Sequence, residues 1–571
     1  MTWDIRMRNT MFRRLPVERA TGQLYGGRHR LRVVYRTRDL IVLGLGVMIG
    51  SGIFKISGAQ AATTAGPAVI LSFLLAGAVC LLAALAYAEL SSIIPVAGSA
   101  YSFSYVAFGE VWAWVVGWSL ILELLLAASV VARAWALYAA QVLADFHVPV
   151  PAPLARFMGN QTGFDILALG ILLLLVLLLA TGSRLSLRTL WTMVAAKLVV
   201  IALVIVTGLM FFDTANLRPF VPPARPAPPA SGHTVLDALL GSVTGGSPQV
   251  FGVWGVLAAT PAIAFAYIGF DLIATASEET DDAPRKVPRG MLYSLLIAIV
   301  VYAGVALAMV GMVSYRRLDA ARPTLGTAFG MVGAGSMGKI IDIGAVLALT
   351  SVVLVVLISL TRVVYSMSRD GLLPEPVSHM SRYKVPSRAT LVAGGAAVLM
   401  SQVLDVFTLE HMVVIGTLFA FLFVAAAVPA LRRSRPDLHR PFRVPLAPLT
   451  CTLTIAAVGW LMLNLKLQTW GYFMIWMAGG LVVYLLYGRR RSQMRRLLDL
   501  PPPRGPRLDA PPPPGVPMPR PAPAGAPRPG APPPRMARPR PPHAAPVPDP
   551  FDVPPLHGGP RPPDPGGRHR R

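Results

Sequence analysis

The sequence predicts an all-α integral membrane protein: twelve spanning helices, the first and sixth discontinuous, arranged as two inverted five-helix repeats with two helices added. Three observations predict it. Apolar runs of spanning length recur along a chain that is 54% hydrophobic and only 14% charged. The first run is interrupted by Leu43-Gly44-Leu45-Gly46-Val47-Met48-Ile49-Gly50-Ser51-Gly52, where each interior glycine costs about 1 kcal/mol of helix propensity. The sixth run carries a comparable interruption at Phe265-Ala266-Tyr267-Ile268-Gly269-Phe270-Asp271, below Pro261. Segments one and six are related as the first members of two five-helix repeats.

The segments run roughly Asp39–Ser57, Pro67–Ile93, Val111–Leu143, Phe164–Gly182, Leu190–Phe212 and Val253–Ser277, then roughly Gly290–Val313, Lys339–Met367, Ala389–Leu404, His411–Leu431, Pro448–Leu463 and Gly471–Tyr487. The expected organisation is a basic N-terminus (1–38), a twelve-helix membrane domain (39–488) and a Pro/Arg-rich tail (489–571). Within the domain, repeats of about 39–212 and 253–431 precede added helices of about 448–487. The loop Asp213 to Gly252 is rich in Pro and Gly and is expected to hold little regular structure. The tail cannot bury a core and is expected to be disordered.

Charge placement tests the count. With the N-terminus inside, inner loops hold fourteen Lys and Arg against eight outside, as the positive-inside rule requires. Both termini are then cytoplasmic and the membrane is expected to be the plasma membrane. The net charge of +25 suggests nucleic-acid binding only until its distribution is seen, because the basic termini flank an apolar block. The expected contacts are the lipid bilayer and a small solute, with no nucleic acid; the sequence leaves the oligomeric state open. Cys80 and Cys451 lie in apolar runs, so no disulfide or metal framework is implied.

Paired breaks have a direct chemical use. Non-helical backbone at membrane depth is tolerated inside protein or along a watery cavity, which is where secondary transporters bind solutes. Free N–H groups after Gly50-Ser51-Gly52 suit a carboxylate, and unwound carbonyls around Phe265 to Ile268 suit an ammonium. An α-amino acid carries both. Close helix packing is the plainer use of such glycines. Phe265 reads as a gate over the solute because of the adjacent break; elsewhere it would read as a core aromatic.

Lys197 lies centrally in an apolar helix, at a cost from about 3 kcal/mol upward, and marks a proton relay in preference to a fixed cation. Glu123, deep in the third helix, reads equally as a substrate or proton group and as a structural partner. Thr350 and Ser351 are positioned to hold the Lys197 ammonium or to satisfy their own helix carbonyls. Arg133 is expected to reach the outer interface. Glu89, Glu278 and Glu279 lie near cytoplasmic helix ends, where gating, folding and substrate contact all fit. There is no G-x-x-x-x-G-K-[ST], no histidine cluster at metal spacing and no nucleophile elbow, so neither an enzyme nor an ATP-driven pump is expected.

These residues also carry a resemblance. Gly46 to Phe54, Ala86-Tyr87-Ala88-Glu89-Leu90, Pro95-Val96-Ala97-Gly98-Ser99-Ala100-Tyr101, Gly117-Trp118 with Leu122-Glu123, Phe265 to Asp271 running into Ser277-Glu278-Glu279, and Arg369-Asp370-Gly371-Leu372-Leu373-Pro374 occur in order. Together they resemble the amino acid–polyamine–organocation superfamily, specifically the bacterial cationic amino acid transporters, from about Phe12 to Tyr487. The resemblance implies a LeuT-like fold and secondary active transport of an α-amino acid by alternating access. It places carboxylate binding at Ile49, Gly50, Ser51 and Gly52, and amino-group binding and gating at Phe265, Ala266 and Ile268. It gives Lys197 the place that sodium occupies in related carriers and sets Thr350 and Ser351 on the facing helix. The energy source implied is a proton gradient, with no bound cofactor. The alternatives are an amino acid or polyamine exchanger of the same fold and a receptor that binds without turnover. Lys55 and the Pro-rich tail depart from the pattern.

Overall fold

Among the described residues the apolar runs fold as twelve principal helices. They are α1 Thr37–Met48, α2 Val69–Ile93, α3 Glu110–Asp145, α4 Ile166–Ala180, α5 Leu187–Met210 and α6 Gly252–Tyr267, then α7 Ala283–Met312, α8 Gly335–Arg369, α9 Ser387–Val403, α10 Val406–Ser434, α11 Ala447–Leu463 and α12 Leu467–Val483. The structure is a computed structural model that describes residues 14–17, 33–50, 52–160, 162–181, 187–227, 234–244, 249–318, 325–381 and 385–492. Ser51 and the tail from 493 lie outside the described residues. By length and composition, eight of the described helices can cross a membrane, and α4 and α11 are shorter apolar helices. Leu174, Met210, Val300, Val403 and Ile475 stand out from the bundle as an apolar perimeter, the face a bilayer solvates.

α1 begins where the Asp39 carboxylate accepts the Arg36 N–H at 2.8 Å, an acidic group against the positive helix end. It stops at Ile49, whose ψ of 84° is non-helical. The span then resumes as π-helical turns at Gly52–Ile56 and Ala61–Ala65 around Ser57–Gln60. α6 stops at Tyr267, Gly269 adopts a φ of +126°, and the helix resumes at Leu272–Thr275. Both interruptions therefore fall within the two stretches singled out in the sequence.

Helix neighbours repeat under a shift of five. α1 packs on α7 as α6 packs on α2; α5 packs on α8 as α10 packs on α3; α5 packs on α7 as α10 packs on α2. α3–α4 and α8–α9 match in the same way, and α2–α7, α3–α8 and α4–α9 map onto themselves. An odd number of crossings per repeat makes the second repeat start on the opposite face, so the repeats are inverted. α1, α2, α6 and α7 form one packed group; α3, α4, α8 and α9 form another. The contact of α1 with α8 joins them and has no strong counterpart in α6 with α3.

Two expectations are corrected. Arg133 does not reach an interface. It is fully buried, and its guanidinium donates to the carbonyls of Ser401 at 2.5 Å, Asn160 at 2.7 Å and Gly163. Three carbonyls replace the water that snorkelling would have sought. The α5–α6 loop is also more ordered than its composition suggests. It holds the 3-10 turn Thr214–Leu217, the helix Val235–Thr244 and an antiparallel pairing of Arg225–Pro226 with Gln249–Val250. Pro222 packs against Gly66, which has a φ of +64°, and Phe251 N–H donates to Thr64 O at 2.8 Å. The loop thereby straps the ends of the first and sixth spans.

Candidate functional site

Breaking α1 releases carbonyls at membrane depth, and side chains from other helices claim them. Lys197 of α5, fully buried, donates from Nζ to Gly46 O at 2.7 Å and Ile49 O at 3.1 Å. Ser351 Oγ of α8 lies 3.4 Å from Gly46 O while donating to its own Ala348 O at 2.8 Å. Thr350 turns elsewhere: it accepts the indole N–H of Trp135 at 2.8 Å and donates to Val346 O. The structure thus brings Lys197, Ser351 and the α1 break together, and places Thr350 against α3. One helical position, about 100° of rotation, separates the two hydroxyls.

Tyr302 of α7 joins the two breaks. Its hydroxyl lies within hydrogen-bonding distance of Met48 O in α1 and of Ala266 O in α6, the latter at 2.9 Å. It has one proton and satisfies one carbonyl at a time. Composition did not flag Tyr302. The available signal was a tyrosine inside an apolar run, since a buried phenol needs a partner. At the α6 break, Ile268 N–H donates to Phe265 O at 3.3 Å and Gly269 N–H to Asp271 Oδ1 at 3.2 Å. Phe265, Ala266, Ile49, Gly50 and Gly52 are buried here, with Ile268 half-buried. A Cβ on Gly52 would stand 2.5 Å from that of Ala266, so the two spans meet at their interruptions.

Glu123 of α3 is fully buried near the Thr417 hydroxyl, which donates to Val413 O, and neither carboxylate oxygen makes a well-formed hydrogen bond among the described residues. Asp271 and Tyr87 lie within electrostatic reach. Glu123 therefore lies between α10, where a Cβ on Gly416 would stand 3.2 Å from its own Cβ, and Asp271 at the α6 break.

The chain matches the amino acid permease family over residues 36–486. It belongs to that family. It is 36% identical to the methylthioribose transporter of Bacillus subtilis (strain 168) over 86% of this chain and 100% of that one. It is 35% identical to the branched-chain amino acid permease BcaP of the same organism over 80% of this chain and 93% of that one. It is also 35% identical to human cationic amino acid transporter 4, over 70% of this chain and 60% of that protein. The chain is thus a multi-pass membrane protein of the permease family, and the relatives named here are transporters or permeases.

In this permease one face of the bundle is closed by ion pairs. Glu279, after α6, pairs with Arg362 of α8 at 2.6 Å, and Arg362 Nη1 donates to Thr275 Oγ1 at 3.4 Å. The Val34 and Tyr35 N–H groups, just before α1, donate to Glu279 O at 2.8 and 3.0 Å. Arg369 approaches Glu278 at 3.5 Å, and Glu278 accepts Ala97 N–H at 3.0 Å. The lead into α1 and the end of α6 are so fastened to α8, across the two packed groups. Glu89 of α2 acts apart from this closure. It receives Arg432 Nε at 2.8 Å and Val444 N–H at 2.7 Å, tying α2 to the α10–α11 turn.

Proposed function

We propose that this permease is a proton-coupled carrier that takes up an α-amino acid by alternating access. The observation that carries the reading is Lys197 on Gly46 O and Ile49 O. A cation from α5 holds the broken helix in one arrangement through charge-to-dipole bonds, and losing its proton weakens that hold. A proton taken from one side and released on the other then moves with the substrate. The proton gradient is the energy source and no bound cofactor is needed. The substrate carboxylate sits at Ile49 to Gly52 and its ammonium at the carbonyls of Phe265, Ala266 and Ile268. The rigid partners are α3 and α8; α1 and α6 move against them.

The basic termini and loops favour the plasma membrane with both ends cytoplasmic, which makes the face closed by Arg362–Glu279 the inner one. The relatives' names cover branched-chain and cationic amino acids. Glu123, buried with no well-formed hydrogen bond to either oxygen, favours a substrate whose side chain brings a cation or a donor. Uptake of radiolabelled amino acids into proteoliposomes, with and without an inward-acid pH gradient, tests the reading. Accumulation only under the gradient is the expected result. Uptake that needs internal amino acid and ignores the gradient would make the chain an exchanger, and binding without uptake a receptor.

A further inference from the structure

Segments before the first helix and after the last one meet at one joint, and the joint leads to the closed face. Leu15 and Val17 are buried, and Leu15 N–H donates to Tyr105 O at 3.3 Å, on the short helix Ala100–Ala107. Just after the last helix, Ser492 Oγ donates to Glu110 Oε2 at 2.6 Å and Tyr484 Oη to Glu110 Oε1 at 3.1 Å. Tyr105 Oη donates to the same carboxylate at 3.3 Å. Tyr105 and Glu110 therefore clasp residues 15 and 492 together. The Tyr101 ring lies against Tyr105 at 5.9 Å, and its hydroxyl donates to Asp370 Oδ2 at 2.7 Å. Asp370 follows Arg369, which faces Glu278.

The surface around the clasp has the composition of a membrane interface. Leu485 and Leu486 are exposed on the last turn of the α12 span, and Arg489 and Arg491 follow one turn later. The Arg491 guanidinium sits over the Tyr487 ring at 5.3 Å. Trp112, exposed two residues beyond Glu110, supplies the second aromatic of an interfacial belt. Arg14 is exposed immediately before the buried Leu15. Arg14, next to Leu15, and Arg489 and Arg491, just before Ser492, thus flank the two attachments to the Tyr105–Glu110 joint. Each such cation near an anionic membrane surface attracts it, and guanidinium matches phosphate geometry.

We propose that an anionic phospholipid headgroup binds between Arg14, Arg489 and Arg491, and that the Glu110 clasp passes its presence to the closed face. A ligand that prefers the clasped arrangement stabilises that arrangement. The consequence for gating rests on the carrier reading above; the lipid site itself does not.

Hydrogen exchange of the full chain in nanodiscs of phosphatidylcholine, alone or mixed with phosphatidylglycerol, tests both parts without requiring transport. With phosphatidylglycerol, amides in 100–108 and 484–492 are expected to exchange about fivefold slower, the low end of ordinary coupling between sites. The triple change Arg14→Gln, Arg489→Gln and Arg491→Gln should abolish the response, and the corresponding Lys changes should keep it. Ser492→Ala should retain phosphatidylglycerol by native mass spectrometry yet lose the slowing at 100–108. Equal exchange in the two membranes, or a triple Gln variant that responds like the parent, overturns the site. Slowing by soluble glycerol phosphate overturns the lipid as partner, and an unaltered response in Ser492→Ala overturns the clasp as transmitter.

Discussion

Lys197 Nζ stands 2.7 Å from Gly46 O and 3.1 Å from Ile49 O, one carbonyl before the break in α1 and one at it. On the proposed carrier reading the lysine holds the backbone assigned to the substrate, so its loss should act on binding and coupling together. Lys197→Ala leaves two buried carbonyls short of a donor, at about 1–3 kcal/mol each. Gradient-driven accumulation should vanish in proteoliposomes, with the internal-to-external ratio falling to unity. Normal pH-dependent uptake by that variant would remove Lys197 from the coupling mechanism.

Tyr302→Phe tests the bridge between the breaks. The ring still packs against Phe73 and Tyr267, but Met48 O and Ala266 O lose their shared hydroxyl. Substrate affinity should fall about tenfold, equivalent to about 1.4 kcal/mol. Unaltered affinity in a competition assay would mean that the hydroxyl serves packing alone.

The breaks were legible because glycine runs and aromatic–small–aromatic runs are unusual in apolar segments, and Lys197 because a mid-span cation is rare. The facing of neighbouring side chains was not. Thr350 and Ser351 are indistinguishable in a string, yet one meets Trp135 and the other the Gly46 carbonyl. Arg133 looked free to snorkel because its acceptors, Asn160, Gly163 and Ser401, are backbone carbonyls that no residue pattern announces. Tyr302 and the Glu110 clasp likewise depend on tertiary packing.

Glycine substitutions separate close approach from mere helix propensity. A methyl at Gly52 would lie 2.5 Å from Ala266 Cβ and 2.6 Å from Ala266 Cα, where backbone must move. At Gly50 it would meet Val352 Cγ2 at 3.0 Å, a side chain that can turn. At Gly170 in α4 nothing lies within 4 Å. Gly52→Ala should abolish substrate binding, Gly50→Ala should weaken it, and Gly170→Ala should be neutral or stabilising by up to about 1 kcal/mol. Thermal unfolding with and without substrate ranks the three; wild-type binding by Gly52→Ala would show that the spans separate at that point.

The closed face predicts an asymmetric pair of variants. Arg362 and Glu279 are 2.6 Å apart, with side chains 8% and 17% exposed. Removing one partner of a buried ion pair costs about 3–5 kcal/mol, chiefly because the other charge is left without compensation. Glu279→Gln strands the more deeply buried Arg362 and should open this face further than Arg362→Gln, which leaves a carboxylate nearer water. The Val34 and Tyr35 amides donate to Glu279 O, so their hydrogen exchange reports the opening directly. Exchange should rise at least about tenfold in Glu279→Gln, since 1.4 kcal/mol is already tenfold, and less in Arg362→Gln. Changing both residues to Gln should restore part of the protection, because no charge is then stranded. If the double variant opens as far as Glu279→Gln alone, the ion pair does not fasten α6 to α8.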